Sequence, residues 1–193
     1  MTHIALFASG NGSNAENIVR YFSGNRNISV SLIVSNRRDA YVHERARQLG
    51  VKSLTFSRVE FEDGLAVTDV LRVCGVDFIV LAGFLLKVSQ PLLDAFPGRI
   101  INIHPALLPK FGGKGMYGDR VHRAVVDAGE NESGITVHYV DGQYDGGEII
   151  FQATCEVLPE DSPEEVARKV HVLEYAFFPK VIEKVIAEGR RSD

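Results

Sequence analysis

Short, almost unbroken apolar runs at residues 4–8, 28–35, 77–82 and 99–103 are the feature that most limits what this chain can become. Amphipathic stretches separate one run from the next, so the runs read as strands and the stretches as helices. A strand that is apolar on both faces must be covered on both faces, the condition of a parallel sheet between helical layers. The pattern predicts helices over 14–22, 40–49 and 61–73, the second closed by Gly50 and the third by Gly75. A short strand is expected over 51–56, and another helical segment ends near Phe96-Pro97. The expected class is therefore α/β, a Rossmann-like, mainly parallel twisted sheet with helices on both faces.

The second half has a different texture. Residues 110–118 (KFGGKGMYG) are rich in glycine and lack periodicity, so they read as a surface loop. Asp119 is expected to cap a helix running to residue 128. Strands are expected over 134–140 and 148–157, joined through Asp141 to Gly147 in a tight antiparallel connection. Ser162-Pro163-Glu164-Glu165 is a strong helix start, and that helix is predicted to reach about residue 187 with an interruption at Pro179. With 193 residues and neither repeat nor linker, the chain reads as one domain over 1–193.

Charge and cysteine content narrow the partners. Hydrophobic residues at 45% and charged residues at 24% suit a globular protein in water, and a net charge of −4 argues against nucleic acid. Cys74 and Cys155 belong to no metal-binding or disulfide spacing, so two inert, half-buried thiols in a reducing compartment and no metal are expected. The apolar run at the N-terminus lacks the basic leader of a signal sequence and the length of a membrane span, which makes the cytoplasm the default. Nothing demands an assembly beyond a monomer or homodimer.

The first strand runs into Ser9-Gly10-Asn11-Gly12-Ser13-Asn14-Ala15 and then a helix. Glycines let the backbone approach a ligand, and the helix start offers free N–H groups, so this turn suits an anion such as a phosphate. The same residues satisfy a weak dinucleotide fingerprint through Gly10, Gly12 and Ala15. No acid for a ribose closes the second strand, but Arg37 and Arg38 could hold the extra phosphate of NADP. An NADP-dependent oxidoreductase is thus the rival reading from another class. Lys114 lies in a glycine cluster without the spacing of a P-loop.

Asn102-Ile103-His104-Pro105-Ala106-Leu107-Leu108-Pro109 carries the strongest chemical signal. Asn102 and His104 are two apart at the end of a strand, hence on one face, at the end of a parallel sheet where ligands bind. An amide donor beside an imidazole suits an oxyanion forming on a carbonyl under attack. Asp145, ahead of Gly146-Gly147, either serves the turn or reaches His104 to balance an imidazolium. His138 lines the site or simply packs, Thr136 contacts a ligand or water or neither, and His3, His43, His122 and His171 read as surface or interface residues. Lys110 and Arg58 read as solvated.

Taken together, GNGSN near the start, VLAGFLLKVS at 80–89, NIHPALLPKF at 102–111, SGITVHYV at 133–140 and YDGGEII at 144–150 resemble the folate-dependent phosphoribosylglycinamide formyltransferase family over nearly the whole length. The resemblance implies the formyltransferase fold, with a phosphate-binding N-terminal half and a folate-binding C-terminal half. It implies formyl transfer from 10-formyltetrahydrofolate to the amine of glycinamide ribonucleotide in purine synthesis, with another amine acceptor as the alternative. It also implies that Asn102, His104 and Asp145 are catalytic, and that backbone groups of Gly12, Ser13 and Asn14 hold the phosphate. Glu174 would contact the glycinamide substrate, Leu85, Leu86 and Val88 would receive the pterin, and Val140 and Asp141 would flank that pocket. Formyltetrahydrofolate hydrolases and methionyl-tRNA formyltransferases share the catalytic part but usually carry further domains. One departure stands out: GGKGMYGDRVH after Phe111 is longer than the family's short segment, which is expected to alter the substrate entrance and not the chemistry.

Overall fold

The computed structural model describes residues 1–189. Its centre is a seven-stranded sheet built from β1 (Thr2–Phe7), β2 (Ile28–Ser35), β3 (Ser53–Thr55), β4 (Phe78–Leu81), β5 (Ile100–His104), β6 (Glu132–Tyr139) and β7 (Ile149–Glu156), in the order β3-β2-β1-β4-β5-β6-β7. The first five strands are parallel, and β6 and β7 run antiparallel to their neighbours, as the two textures of the sequence predict. The chain leaves β1 toward β2 on one side and later returns to β4 on the other. The carboxyl ends of β1 and β4 therefore open a crevice at the point where the winding reverses.

Alternation along β1 builds two cores. Ile4 and Leu6 join one cluster with Ile18 of α1 (Ser13–Tyr21), Ala46 of α2 (Val42–Leu49), Val125 of α6 (Asp119–Asp127) and Phe178 of α7 (Pro163–Gly189). Ala5 and Phe7 face the opposite cluster, with Phe61 of α3 (Arg58–Asp63), Leu71 of α4 (Leu65–Val73) and Leu92 of α5 (Gln90–Ala95). A period of two along a strand places successive residues on opposite faces, so each central strand feeds both layers.

Three local expectations need correction. The helix read over 61–73 is two helices. It starts early because Ser57 and Glu60 form a reciprocal capping box, and it breaks at Gly64, which has φ +79 and no room for a Cβ against Ser89. Asp119 does not cap α6; Gly118 holds that position and Asp119 is the first helical residue. Pro179 does not interrupt α7. A proline deprives the carbonyl four residues earlier of its partner, here Tyr175, and the Asn17 side-chain amide donates to that oxygen at 3.1 Å. The predicted start of α7 is present, with Ser162 and Glu165 bonded to each other's backbone N–H at 3.2 and 2.7 Å. Both thiols are half-buried and free, and among the described residues no helix is long and apolar enough to cross a membrane.

The packing of α7 on β6, β7 and α1 ties the C-terminal end of the chain to the first helix. Phe178 is fully buried in it. Replacing Phe178 by alanine is expected to destabilise the fold by about 3–5 kcal/mol, measured as a fall in ΔG of urea unfolding at unchanged m-value.

Candidate active site

Hydrogen bonds between neighbouring strand exits shape the crevice. The Ser9 N–H donates to the Gly83 carbonyl at 3.0 Å, and the Leu85 N–H donates to the Ser9 hydroxyl at 2.9 Å, so the loops after β1 and β4 are tied to each other. Phe84 anchors the second loop by packing on Phe7 and Phe61, with ring centroids 5.3 and 4.8 Å away. The cavity between these loops, the exit of β5 and α7 is about 590 Å³. Its lining includes Gly12, Ser13, Asn14, Leu85, Leu86, Val88, Asn102, His104, Val140, Asp141, Asp145 and Glu174. Every site residue expected from sequence therefore lines one cavity.

Asn102 and His104 close β5 and project from one face of it, while β6 places His138 opposite Asn102 and Thr136 opposite His104. His138 donates Nδ1–H to the Tyr139 carbonyl at 2.8 Å. In the neutral ring Nε2 is then bare, and it accepts the Asn102 amide N–H at 3.0 Å. The second N–H of that amide reaches only 3.5 Å to Asp145 Oδ1 and is the weaker of its two bonds. His104 donates Nε2–H to the Phe111 carbonyl at 2.7 Å, which leaves Nδ1 facing Asp145 Oδ2 at 3.6 Å. His138 Nε2 lies 3.6 Å from the other carboxylate oxygen. The Asp145 side chain is thus ringed by an amide and two imidazoles, and it takes a short bond, 2.8 Å, from the Gly113 N–H.

Burial pushes His104 below the ordinary histidine value, outweighing the Asp145 charge and the Phe111 carbonyl that pull it up, so the ring is largely neutral at pH 7. Burial also acts to raise Asp145, but its polar neighbours, the His138 and His104 rings and the Gly113 N–H, outweigh it and hold the carboxyl below its usual range. The two shifts differ in what opposes burial. His104 meets a carboxylate at a distance too long for a hydrogen bond, whereas Asp145 accepts from the Gly113 N–H and, more weakly, from Asn102. A proton added at His104 Nδ1 would turn its 3.6 Å contact into an ion pair.

The segment after β5 is the main surprise. Gly113 belongs to the stretch expected to alter only the entrance and Phe111 immediately precedes it, yet Phe111 accepts from His104 and Gly113 donates to Asp145. Gly113 needs φ +95, and Asp145 itself sits at φ +53, a conformation few non-glycine residues adopt. The insertion is therefore braced against the expected catalytic residues. No single residue in it advertises this role, because the contacts are made by backbone groups.

Sequence reading also missed two histidines on α6 and α7 that line the cavity. Glu174 is buried, accepts the Asn14 side-chain N–H at 2.9 Å, and takes Nδ1–H of His171 at 2.7 Å. The bond from Glu174 raises His171 above its ordinary value against a smaller opposing effect of burial. His171 and His122 both line the cavity; His122 is buried and not the surface residue it was read as, whereas His171 is exposed. Thr136 is spent elsewhere: its hydroxyl donates to the Ala106 carbonyl and accepts from the Leu108 N–H and Gln152, bracing the loop after β5. Arg37 pairs with Asp39, and neither Arg37 nor Arg38 lines the cavity, which removes the observation that favoured NADP. Lys110 and Arg58 sit at the exterior, paired with Glu130 and Glu62.

The formyl transferase family matches residues 2–182. The phosphoribosylglycinamide formyltransferase of Bacillus subtilis is 38% identical, with 100% of this chain and 99% of that protein aligned. The chloroplastic phosphoribosylglycinamide formyltransferase of Arabidopsis thaliana is 44% identical over 96% of this chain, which spans only 65% of that relative. Glycinamide ribonucleotide transformylase 1 from Symbiobacterium toebii has the same fold, with a TM-score of 0.88 at 36% identity over 98% of this chain and 89% of that one. The chain belongs to the formyl transferase family.

Proposed function

We infer that the chain transfers the formyl group of 10-formyltetrahydrofolate to the amine of glycinamide ribonucleotide, the one-carbon step of purine biosynthesis that its relatives are named for. The observation that carries this reading is the cluster of Asn102, His104, His138 and Asp145 in a single cavity. On one side of the cavity lies a turn suited to a phosphate, and on the other an apolar loop.

Gly12, Ser13 and Asn14 seat the phosphate of the acceptor, where free N–H groups and the start of α1 favour an anion. Glu174, held by Asn14 and His171, faces the rest of the ribonucleotide. Leu85, Leu86 and Val88 receive the pterin, with Val140 and Asp141 flanking it. These residues fit such a ring: Leu85 is 44% exposed, leaving apolar area to cover, and the surrounding backbone offers polar groups for a ring edge. The folate supplies an activated formyl carbon.

Attack by the amine makes a new C–N bond and places negative charge on the formyl oxygen. Asn102 donates its weaker-bonded N–H to that oxygen, and His104 donates once protonated. The forming charge raises the proton affinity of His104, and Asp145 balances the imidazolium. One proton leaves the attacking nitrogen and one arrives at the departing folate nitrogen, so the protein ends as it began and forms no covalent bond. Free thiols at Cys74 and Cys155 support a cytoplasmic setting.

His104→Ala and Asp145→Asn are each expected to lower kcat by about 10²–10³ while leaving the thermal midpoint within a few degrees. The check is acceptor-dependent deformylation of the folate, followed by absorbance. Near-normal turnover would remove the residue from the mechanism, and turnover without acceptor would mean a hydrolase. Gly113→Val, which strains φ and displaces the amide from Asp145, is expected to cost about tenfold to a hundredfold in kcat. Gly115→Val, strained alike at φ +91, serves as the control and is expected to cost far less.

A further inference from the structure

The phosphate-seating turn is held from behind by α2, and one side chain does most of the holding. Arg45 donates Nε–H to the Asn11 carbonyl at 2.8 Å and an Nη2 hydrogen to the Asn11 side-chain oxygen at 2.7 Å. Its remaining arm pairs with Glu16 in the first turn of α1. The guanidinium thus bridges the turn from its middle to the helix that follows. One turn earlier on α2, the Val42 N–H donates to the Gly10 carbonyl at 3.1 Å. Val42 also packs so closely that a Cβ on Gly12 would lie 2.3 Å from its side chain.

The peptide plane turns these contacts into orientation. In a trans peptide the carbonyl and the following N–H point opposite ways. Fixing the Gly10 carbonyl on α2 aims the Asn11 N–H away from α2, and fixing the Asn11 carbonyl on Arg45 does the same for the Gly12 N–H. The N–H groups of Gly12, Ser13 and Asn14 have no backbone acceptor among the described residues. Asn11, Gly12, Ser13 and Asn14 line the cavity, whereas Arg45 and Glu16 do not.

We propose that Arg45 is a positioning residue for the phosphate of the acceptor: from outside the cavity, its two-pronged grip on Asn11 sets the donors that receive the anion. The proposal rests on the reading of residues 12–14 as the phosphate seat. It demands arginine in particular, because a planar fork meets two oxygens of one residue at once and an ammonium does not. Loss of Arg45 leaves Glu16 with a second partner, Arg20, at 2.8 Å, so no carboxylate is stranded. The effect therefore falls on phosphate recognition more than on the fold.

Steady-state kinetics of Arg45→Met and Arg45→Lys, with ribose 5-phosphate and ribose as competitors of the acceptor, test this. Arg45→Met is expected to raise KM for glycinamide ribonucleotide about tenfold, the loss of roughly one good hydrogen bond, with kcat within threefold. The Ki of ribose 5-phosphate should rise in step while that of ribose stays put, and lysine should recover only part of the loss. Ser13→Asp, which puts a negative charge in the seat, separates the proposal from the reading beneath it. A raised KM in Ser13→Asp with a normal KM in Arg45→Met overturns the role of Arg45 alone. Normal KM in both places the phosphate elsewhere and overturns the reading. Equal losses for ribose 5-phosphate and ribose, or full activity with lysine, reduce Arg45 to a general brace and overturn the proposal. Should Arg45→Met lose its folded circular-dichroism spectrum, Arg45→Lys, which keeps the charge beside Glu16, decides by the same two inhibition constants.

Discussion

A carboxylate taken largely out of water must be met by fixed donors, and Asp145 is that carboxylate here. Its side chain is 13% exposed, and an ion so placed forfeits several kcal/mol of hydration unless the protein replaces it. The replacement comes from separate parts of the chain: the Asn102 amide at the end of β5 and the main-chain N–H of Gly113 donate to it, and the rings of His104 and His138 lie 3.6 Å away. A left-handed conformation at Asp145 costs about 1–3 kcal/mol, and it persists because these contacts over-determine it. The antiparallel turn of the sheet after β5 follows from the same need. Only β6 laid against β5 brings His138 opposite Asn102 and returns the chain over the exit of the parallel strands.

The far side of the cavity obeys the same logic with different groups. Glu174 is buried on α7, and its donors come from Asn14 on α1 and His171 one turn back on its own helix. Beyond Glu174, α7 runs unbroken through Pro179 because Asn17 satisfies the carbonyl that the proline leaves unpaired. Two asparagines of the first helix thus serve its packing partner, one for chain continuity and one for the carboxylate. The cavity is assembled from residues nearly the whole chain apart, so its geometry depends on the packing of α7 as much as on the strand ends.

The parallel sheet was legible because its signal is local: apolar runs of strand length divided by amphipathic helices. Asn102 and His104 were legible for a similar reason, since a spacing of two fixes their common face. His138 was left undecided, although strand pairing places it directly opposite Asn102; register across an antiparallel pair is not written in either strand alone. His122 was misread as a surface residue, and the place of His171 on the cavity wall went unread, because both depend on where α6 and α7 land. The break at Gly64 and the bond from Gly113 were missed for a third reason. Both are backbone effects of glycine, visible only when something packs close or a carboxylate arrives.

The extra residues after β5 illustrate why register matters here and length does not. From His104 to Gly113 the chain is tied at several points: the Ala106 carbonyl and Leu108 N–H on Thr136, the Leu108 carbonyl on Gln152, Phe111 on His104 and Gly113 on Asp145. An added residue anywhere in that span would shift every later donor and acceptor by one place. From Gly113 to the start of α6 the ties are only local ones: the Met116 N–H donates to the Gly113 carbonyl at 3.1 Å, and Arg120 lies over Tyr117 at 5.0 Å. Doubling the length of such a loop adds only about 0.6 kcal/mol of closure entropy, less than a single misplaced bond to the buried carboxylate. Residues can therefore enter beyond Gly113, where they reshape the mouth of the cavity through Lys114, Met116 and Tyr117. The chemistry beneath is insulated from that change by a backbone bond on either side of Gly112.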